Sequence, residues 1–275
     1  MDKYTGYKEV TMTSDEMADF YSGVWRPQEE FKFNEFLLVK SQEGEIVDKR
    51  IWKGNEFKPF PYPVVNNGFM DTIKPRNAHQ ECAMAMLRDE DVPVKLITGT
   101  YGSGKTLLLT AVAYDLVRRG KFDKIIWVRN NIQVKDTDQI GALPGDELDK
   151  MLPYVMPLAD HCGGVEGVKL LLEQGQLEVI PLGFLRGRSL RKSIIISSEA
   201  ENLTKEHIQL MLGRIDEGSN LWMDADLRQR DRIAFEKSKG IETMIERLSG
   251  DPLFGYVHLV KTERSKAAQL ADKLD

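Results

Sequence analysis

Gly99-Thr100-Tyr101-Gly102-Ser103-Gly104-Lys105-Thr106 is the stretch on which the fold turns. It follows a short apolar run, Lys95 to Thr98, and opens an apolar-periodic segment from Lys105 to Arg119 that Gly120 closes at its C′ position. Glycines let a backbone turn tightly, so that successive N–H groups point inward at an anion. The helix that follows adds the positive end of its dipole to the same point. Lys105 reaches a β- or γ-phosphate as a point charge, and Thr106 offers its hydroxyl to Mg²⁺. With average glycine usage near 7%, the spacing G-x-x-x-x-G-K-[S/T] arises by chance in about one chain of this length per hundred. The strand–loop–helix setting disfavours a merely flexible loop further. Residues 99–106 are therefore expected to bind a nucleoside triphosphate, ATP.

Outward from the loop, short apolar runs recur at Lys124 to Val128, Leu177 to Ile180, Ser193 to Ile196, Asn220 to Met223 and Tyr256 to Val260. Amphipathic segments lie between them: Ile208, Met211, Leu212 and Ile215 recur at helical spacing, as do Ile241, Met244, Ile245 and Leu248. Asn77 is placed to cap a helix through Leu87. Continuous strands alternating with helices predict an α/β fold, a mostly parallel sheet covered on both faces. Residues 1–70 have a different texture. Ser14 is read as the cap of a short helix. Strands are expected at Glu35 to Lys40, Glu45 to Trp52 and Glu56 to Lys58, followed by a connector stiffened by Pro59, Pro61 and Pro63. The predicted organisation is a small β-rich extension and linker over residues 1–70 and a catalytic-type domain over 71–275.

Composition bounds the rest. Across 275 residues, 38 basic and 43 acidic side chains give a net charge of −5, so any polyanion must be met by a local basic surface. Arg186, Arg188, Arg191 and Lys192 form the densest such stretch, four cations in seven residues. It is read as a nucleic-acid contact, with a solvated face, a nucleotide contact or a subunit contact as alternatives. Tyr154 and Phe184 are read as base-stacking positions or as core. Cys82 and Cys162 lie apart in apolar segments and are expected to be small core residues in a reducing compartment. The polar N-terminus and the lack of an apolar run near ~18 residues predict a cytoplasmic protein without membrane contact.

Several further words of sequence resemble the PhoH-like ATPase family, a branch of P-loop proteins. Lys74-Pro75-Arg76-Asn77 with Gln80 is similar to the family's entry motif, Gly141-Ala-Leu-Pro-Gly-Asp146 with Pro153-Tyr154 to its G-x-L-P-G-D…P-[YW] signature, and Arg186-Gly-Arg-Ser189 to its R-G-R-[ST]. Phe254-Gly-Tyr with Glu263-Arg264-Ser265 resembles its C-terminal arginine motif. The likeness covers roughly residues 73–274. It is nearest to the ATPase module that follows a PIN nuclease domain in some members, without that domain, and residues 35–58 look like the family's connecting segment.

The resemblance implies a RecA-like P-loop NTPase fold and roles for particular residues. Gln80 would contact the adenine. Glu199 matches the glutamate of D-E-A-Q-N that orients the attacking water. Ser198 stands where that motif has the aspartate that helps hold Mg²⁺, and Glu201 where it has glutamine; Ser198 can donate to Thr106 or to a metal-bound water, or Asp224 or Asp226 compensates. Met223-Asp-Ala-Asp226-Leu-Arg-Gln229 is similar to T-G-D-x-x-Q, with Gln229 as the γ-phosphate sensor. Arg264 would neutralise transition-state charge, within the chain or in a neighbouring subunit. Arg129 matches the arginine of a T-R-P turn, with Asn130 in place of proline. The implied function is a Mg²⁺-dependent ATPase coupling nucleotide state to RNA or single-stranded DNA in a helicase-like manner. It would act as a homo-oligomer, a hexameric ring in which Arg264 or Arg188 completes the next site. Ser198 motivates the competing expectation, a nucleotide-gated binding module with little hydrolysis.

Overall fold

The apolar runs on either side of the glycine loop pair into one sheet. The computed structural model describes residues 4–61, 64–66, 68–69, 72–129, 155–228 and 239–261. In chain order the elements are β1 (Tyr7–Thr11), α1 (Ser14–Ser22), β2 (Phe36–Lys40), β3 (Ile46–Trp52), β4 (Phe57–Lys58), α2 (Ala78–Arg88), β5 (Val94–Gly99), α3 (Lys105–Arg118) and β6 (Lys124–Arg129). They continue with α4 (Gly164–Glu173), β7 (Leu177–Pro181), β8 (Ser193–Ser197), α5 (Lys205–Leu212), β9 (Asn220–Ala225), α6 (Gly240–Leu248) and β10 (Phe254–Leu259). Short 3₁₀ turns follow β7 at Leu182–Leu185 and β8 at Ala200–Asn202.

Six strands form the main sheet in the order β10-β5-β9-β8-β6-β7, every neighbouring pair parallel. Alternation divides the strand side chains between two cores. Ile194, Ile196 and Ile97 face α2, α3 and α4, whereas Ile195, Leu96 and Leu221 face α5 and α6. Covering both faces explains why the strands read as unbroken apolar runs. This is the α/β, RecA-like P-loop architecture, with all strand C-termini at one edge. Cys82 and Cys162 are buried free thiols, and burial pushes the Cys162 thiol up to about 12.

The N-terminal residues build a second sheet, β1-β2-β3-β4, in which β1 runs parallel to β2 and the others are antiparallel. In β2, Phe36 and Leu38 join the core beneath α2 while Leu37 and Val39 pack with Met12 and Phe31 on the far side, where α1 lies. The amide of His258 donates to Thr5 O at 2.9 Å, and Asn34 Nδ2 donates to the carbonyls of Pro252 and Phe254 at 3.0 Å each. The exposed edge of β10 is thus covered by the N-terminal segment, which removes an open ladder.

Two local expectations need correction. Thr13, not Ser14, caps α1: its side chain accepts from the Glu16 amide and Glu16 reciprocates to the Thr13 amide, a capping box that only the Thr13–Glu16 spacing permits. The strand β1 was not expected from its charged, alternating sequence; it forms because β2 offers it a full parallel register from Phe36 to Lys40.

Candidate functional site

The loop 99–104 connects the C-terminal end of β5 to the first turn of α3. A Cβ at Gly99 would stand 2.5 Å from Leu259 O and 2.8 Å from Ser103 Oγ, so no larger residue fits between the loop and β10. Gly104 occupies the helix cap with φ near 90°, a left-handed geometry that opens the helix N-terminus without strain. Lys105 Nζ lies over the loop and donates to Gly99 O at 2.8 Å and Thr100 O at 3.0 Å. An ammonium carries three donors, so one more is available to a phosphate oxygen. Tyr101 stands at the loop's tip, 60% exposed, while Ser103 is fully buried. Gln80, expected against an adenine, is buried with both ends of its amide on backbone: Oε1 accepts from Arg76 N at 2.8 Å and Nε2 donates to Ser103 O at 3.0 Å. Its observed contacts fix the loop to the start of α2.

Behind Thr106 sits a carboxylate. Thr106 Oγ1 donates to Asp224 Oδ2 at 2.7 Å, and Ser198 Oγ and Glu199 N both donate to Asp224 Oδ1, at 2.8 and 2.9 Å. Asp224 is 2% exposed. The strand order produces this convergence: β9 lies between β5, which leads into the loop, and β8, which leads into Ser198 and Glu199. Neighbouring strands stand about 4.8 Å apart, so a residue at the end of β9 reaches both sides. Ser198 donates to Asp224 rather than to Thr106.

Glu199 leaves β8 with φ 54° and ψ 45°, left-handed backbone that costs a non-glycine residue about 1 kcal/mol or more. The hydrogen bond from its amide to Asp224 and the 3₁₀ turn after it hold that conformation, and its side chain is exposed at the edge where the loop opens. Asp226 is turned elsewhere. Its amide donates to Glu201 Oε2 at 3.0 Å and its Oδ1 accepts from the Arg228 amide at 3.0 Å. Glu201 is 8% exposed, and burial first, then the charges of Asp224 and Glu199, push its pKa up to about 8. Of the two aspartates expected to compensate for Ser198, Asp224 is the one in contact with Thr106.

A family model described as "PhoH-like protein" matches residues 72–273, the span that contains the loop and every strand of the main sheet. The chain belongs to the PhoH family. It is 32% identical to Protein PhoH2 of Bacillus subtilis (strain 168), over 98% of this chain and 64% of that protein. Against the PhoH-like protein of the same organism the identity is 30%, over 81% and 70%. Against Protein PhoH of Escherichia coli (strain K12) it is 28%, over 62% and 49%. The chain thus spans between about half and two thirds of the PhoH2 proteins it matches, at 64%, 47% and 47% of their lengths.

The remaining residues expected in a PhoH site divide into two groups. Gln229, Arg264, the Gly141–Asp146 signature and Pro153-Tyr154 lie outside the described residues, as does the side chain of Arg129. The basic stretch is described, and it is split. Phe184, 72% exposed, and Arg186 follow the C-terminal end of β7, on the same sheet edge as the loop. Arg188 returns along the strand to pair with Glu178 at 2.7 Å, and Arg191, beside Lys192 at the opposite edge, pairs with Asp216 at 2.9 Å. Among the described residues no ion pair involves Arg186 or Lys192. Sequence reasoning offered Asp224 only as one of two substitutes for the missing aspartate; its one signal was an acid at a strand end beside that gap. No helix among the described residues is long and apolar enough to cross a membrane.

Proposed function

We propose that this PhoH family member is a Mg²⁺-dependent ATPase that couples its nucleotide state to RNA or single-stranded DNA. The observation that carries the reading is the meeting of Thr106 and Glu199 on one buried carboxylate beside a glycine loop shaped for phosphate. The donor set fits the metal. Mg²⁺ is held by one or two protein oxygens with phosphate oxygens and water completing its shell, and among the described residues no cluster of three or more His, Cys, Asp or Glu would cage it alone. When bound with the nucleotide, the ion supplies charge neutralisation between the β- and γ-phosphates.

The chain's own residues supply the rest. The loop amides and Lys105 bind and orient the triphosphate, and Thr106 directs its hydroxyl to the metal's side of the site. Glu199, exposed at the strand end, accepts a hydrogen bond from the attacking water and takes its proton as the γ-phosphoryl bond breaks. Gln229 and Arg264 are assigned the sensing and charge-neutralising roles by family resemblance. That resemblance also supports a homo-oligomer, a ring in which a neighbour's arginine completes the site. Phe184 and Arg186 are the pair proposed to meet a nucleic-acid strand.

Steady-state phosphate release with parallel titration of a fluorescent ATP analogue tests this reading. Lys105→Ala removes a charge-assisted contact of about 2 kcal/mol and should weaken binding about thirtyfold. Glu199→Gln should leave binding intact and lower phosphate release by about 10²-fold or more. Unchanged affinity in Lys105→Ala would remove the site. Analogue binding with phosphate release at background in both the unsubstituted chain and Glu199→Gln would replace hydrolysis by a nucleotide-gated switch.

A further inference from the structure

We propose that Asp224 performs the magnesium-organising work that position 198 has lost, so that the site's essential carboxylate has moved by one strand. The inference rests on the ATP-site reading above and deepens it. Ser198 follows the last residue of β8, and Asp224 follows Met223, the β9 residue in register with Ser197. Positions 198 and 224 are therefore side-by-side neighbours across two parallel strands, and Ser198 Oγ donates to Asp224 Oδ1 at 2.8 Å. In the motifs the chain resembles, D-E-A-Q-N and T-G-D-x-x-Q, these places hold an aspartate and a threonine. Here they hold a serine and an aspartate. A carboxylate and a hydroxyl have changed sides across one pair, and the chemical content of the pair is kept.

Geometry favours the new side. β9 is hydrogen-bonded to β5, whereas β8 is one strand further away. A carboxylate on β9 starts about 4.8 Å nearer to the loop-bearing strand than one on β8, and Asp224 does reach Thr106 directly, at 2.7 Å. Its burial at 2% exposure means that the Thr106 hydroxyl is held by a desolvated acceptor, with its oxygen lone pairs left to face a hard cation. The second oxygen holds the Glu199 amide, so the same group that orients the metal's hydroxyl ligand sets the backbone of the water-orienting glutamate. Asp226, the other acid on this strand end, has its carboxylate and amide committed to its own turn and to Glu201. Asp224 is thus a positioning residue, acting through Thr106 and the metal's water shell.

The discriminating measurement is the affinity of a fluorescent ATP analogue in EDTA and in saturating Mg²⁺, with Mn²⁺ electron paramagnetic resonance counting the ion held in the complex. Asp224→Asn, which removes a negative charge beside the triphosphate, should bind the analogue in EDTA at least as tightly as the unsubstituted chain, yet lose 10- to 100-fold of the affinity that Mg²⁺ adds and hold less Mn²⁺. The exchange variant Ser198→Asp/Asp224→Thr, which returns the carboxylate to β8, should recover the Mg²⁺ enhancement. An Asp224→Asn protein that melts normally and keeps its full metal enhancement overturns the inference while leaving the ATP site standing. If Asp224→Asn does not fold, the exchange variant decides: recovery supports the inference, and a folded exchange variant blind to Mg²⁺ overturns it. Absence of any analogue binding by the unsubstituted chain would instead sink the ATP-site reading beneath it.

Discussion

Glu201→Gln should stabilise this protein, and more so as pH rises. Glu201 is nearly enclosed, accepts hydrogen bonds from the Asp226 amide and its own, which partly offset burial, and lies near the acidic Asp224 and Glu199. Its pKa is pushed from 4.5 to about 8. In the unfolded chain the proton leaves near the ordinary value, so deprotonation favours unfolding between the two. The stability contribution of Glu201 is therefore complete below pH 4.5 and is lost as pH climbs through 8. Each unit of separation is worth about 1.4 kcal/mol, which sets an upper limit of about 4 kcal/mol at pH 8. Glutamine keeps the acceptor for Asp226 N and abolishes the titration. The variant's advantage over the unsubstituted chain should grow by roughly 1 kcal/mol per pH unit from 5 to 8 and level off above that. Thermal melts in EDTA, which keeps metal out of the comparison, read it directly: at about 2–3 °C per kcal/mol for a chain of this size, the gap in Tm should widen by about 5–10 °C. A gap that stays constant across that window would show that Glu201 ionises without cost in the folded protein, and the reasoning from burial would fall.

The other expectations are simpler to state. Arg186→Ala should flatten the dependence of log affinity on log salt for a homopolymeric single strand by about 0.7, the share of one phosphate contact. Arg191→Ala, at the opposite sheet edge and paired with Asp216, should leave the slope unchanged; equal effects from the two would dissolve the assignment of strand contact to the Phe184–Arg186 corner. Sedimentation should show an assembly larger than one chain when ATP is present, and a strict monomer with and without nucleotide would remove the neighbour's arginine from the mechanism.

Much of the architecture was open to inspection in the sequence because parallel strands buried on both faces have no polar alternation to hide them. Lys95 is an exception that burial explains: it lies within β5 yet is fully enclosed, donating to Leu87 O at 2.7 Å and standing 4.9 Å from the Trp222 ring centre. The phosphate loop was legible for a local reason, since all its parts are contiguous. Gln80 was singled out by resemblance, but its hold on Ser103 depends on how α2 docks against the loop, which no spacing encodes. Asp224 shows the limit most clearly. Its reach to Thr106, 118 residues away, exists only because β9 enters the sheet between β5 and β8. Strand order of that kind is a tertiary fact. The left-handed Glu199 was hidden for the same reason, because the amide contact that holds it comes from β9.

The two departures at the end of β8 follow one electrostatic rule. The D-E-A-Q-N and T-G-D motifs that the chain resembles hold three acids and, at the place of Glu201, a neutral glutamine. This chain carries Glu199, Asp224 and Asp226 at the ends of β8 and β9, with Asp226 turned into its own loop, and Glu201 where the glutamine would stand. A further charge packed beside Asp224 and Glu199 would repel both. The fold avoids it by burial: Glu201 keeps its proton up to about pH 8 and presents a neutral group, as glutamine would. The carboxylate exchange between positions 198 and 224 leaves the number of acids unchanged, and the raised pKa of Glu201 keeps the extra one silent. The balance at the ends of β8 and β9 thus has two conditions, a constant number of ionised acids and one carboxylate within reach of Thr106. While Glu201 keeps its proton both conditions hold here, and once it ionises above about pH 8 only the second does.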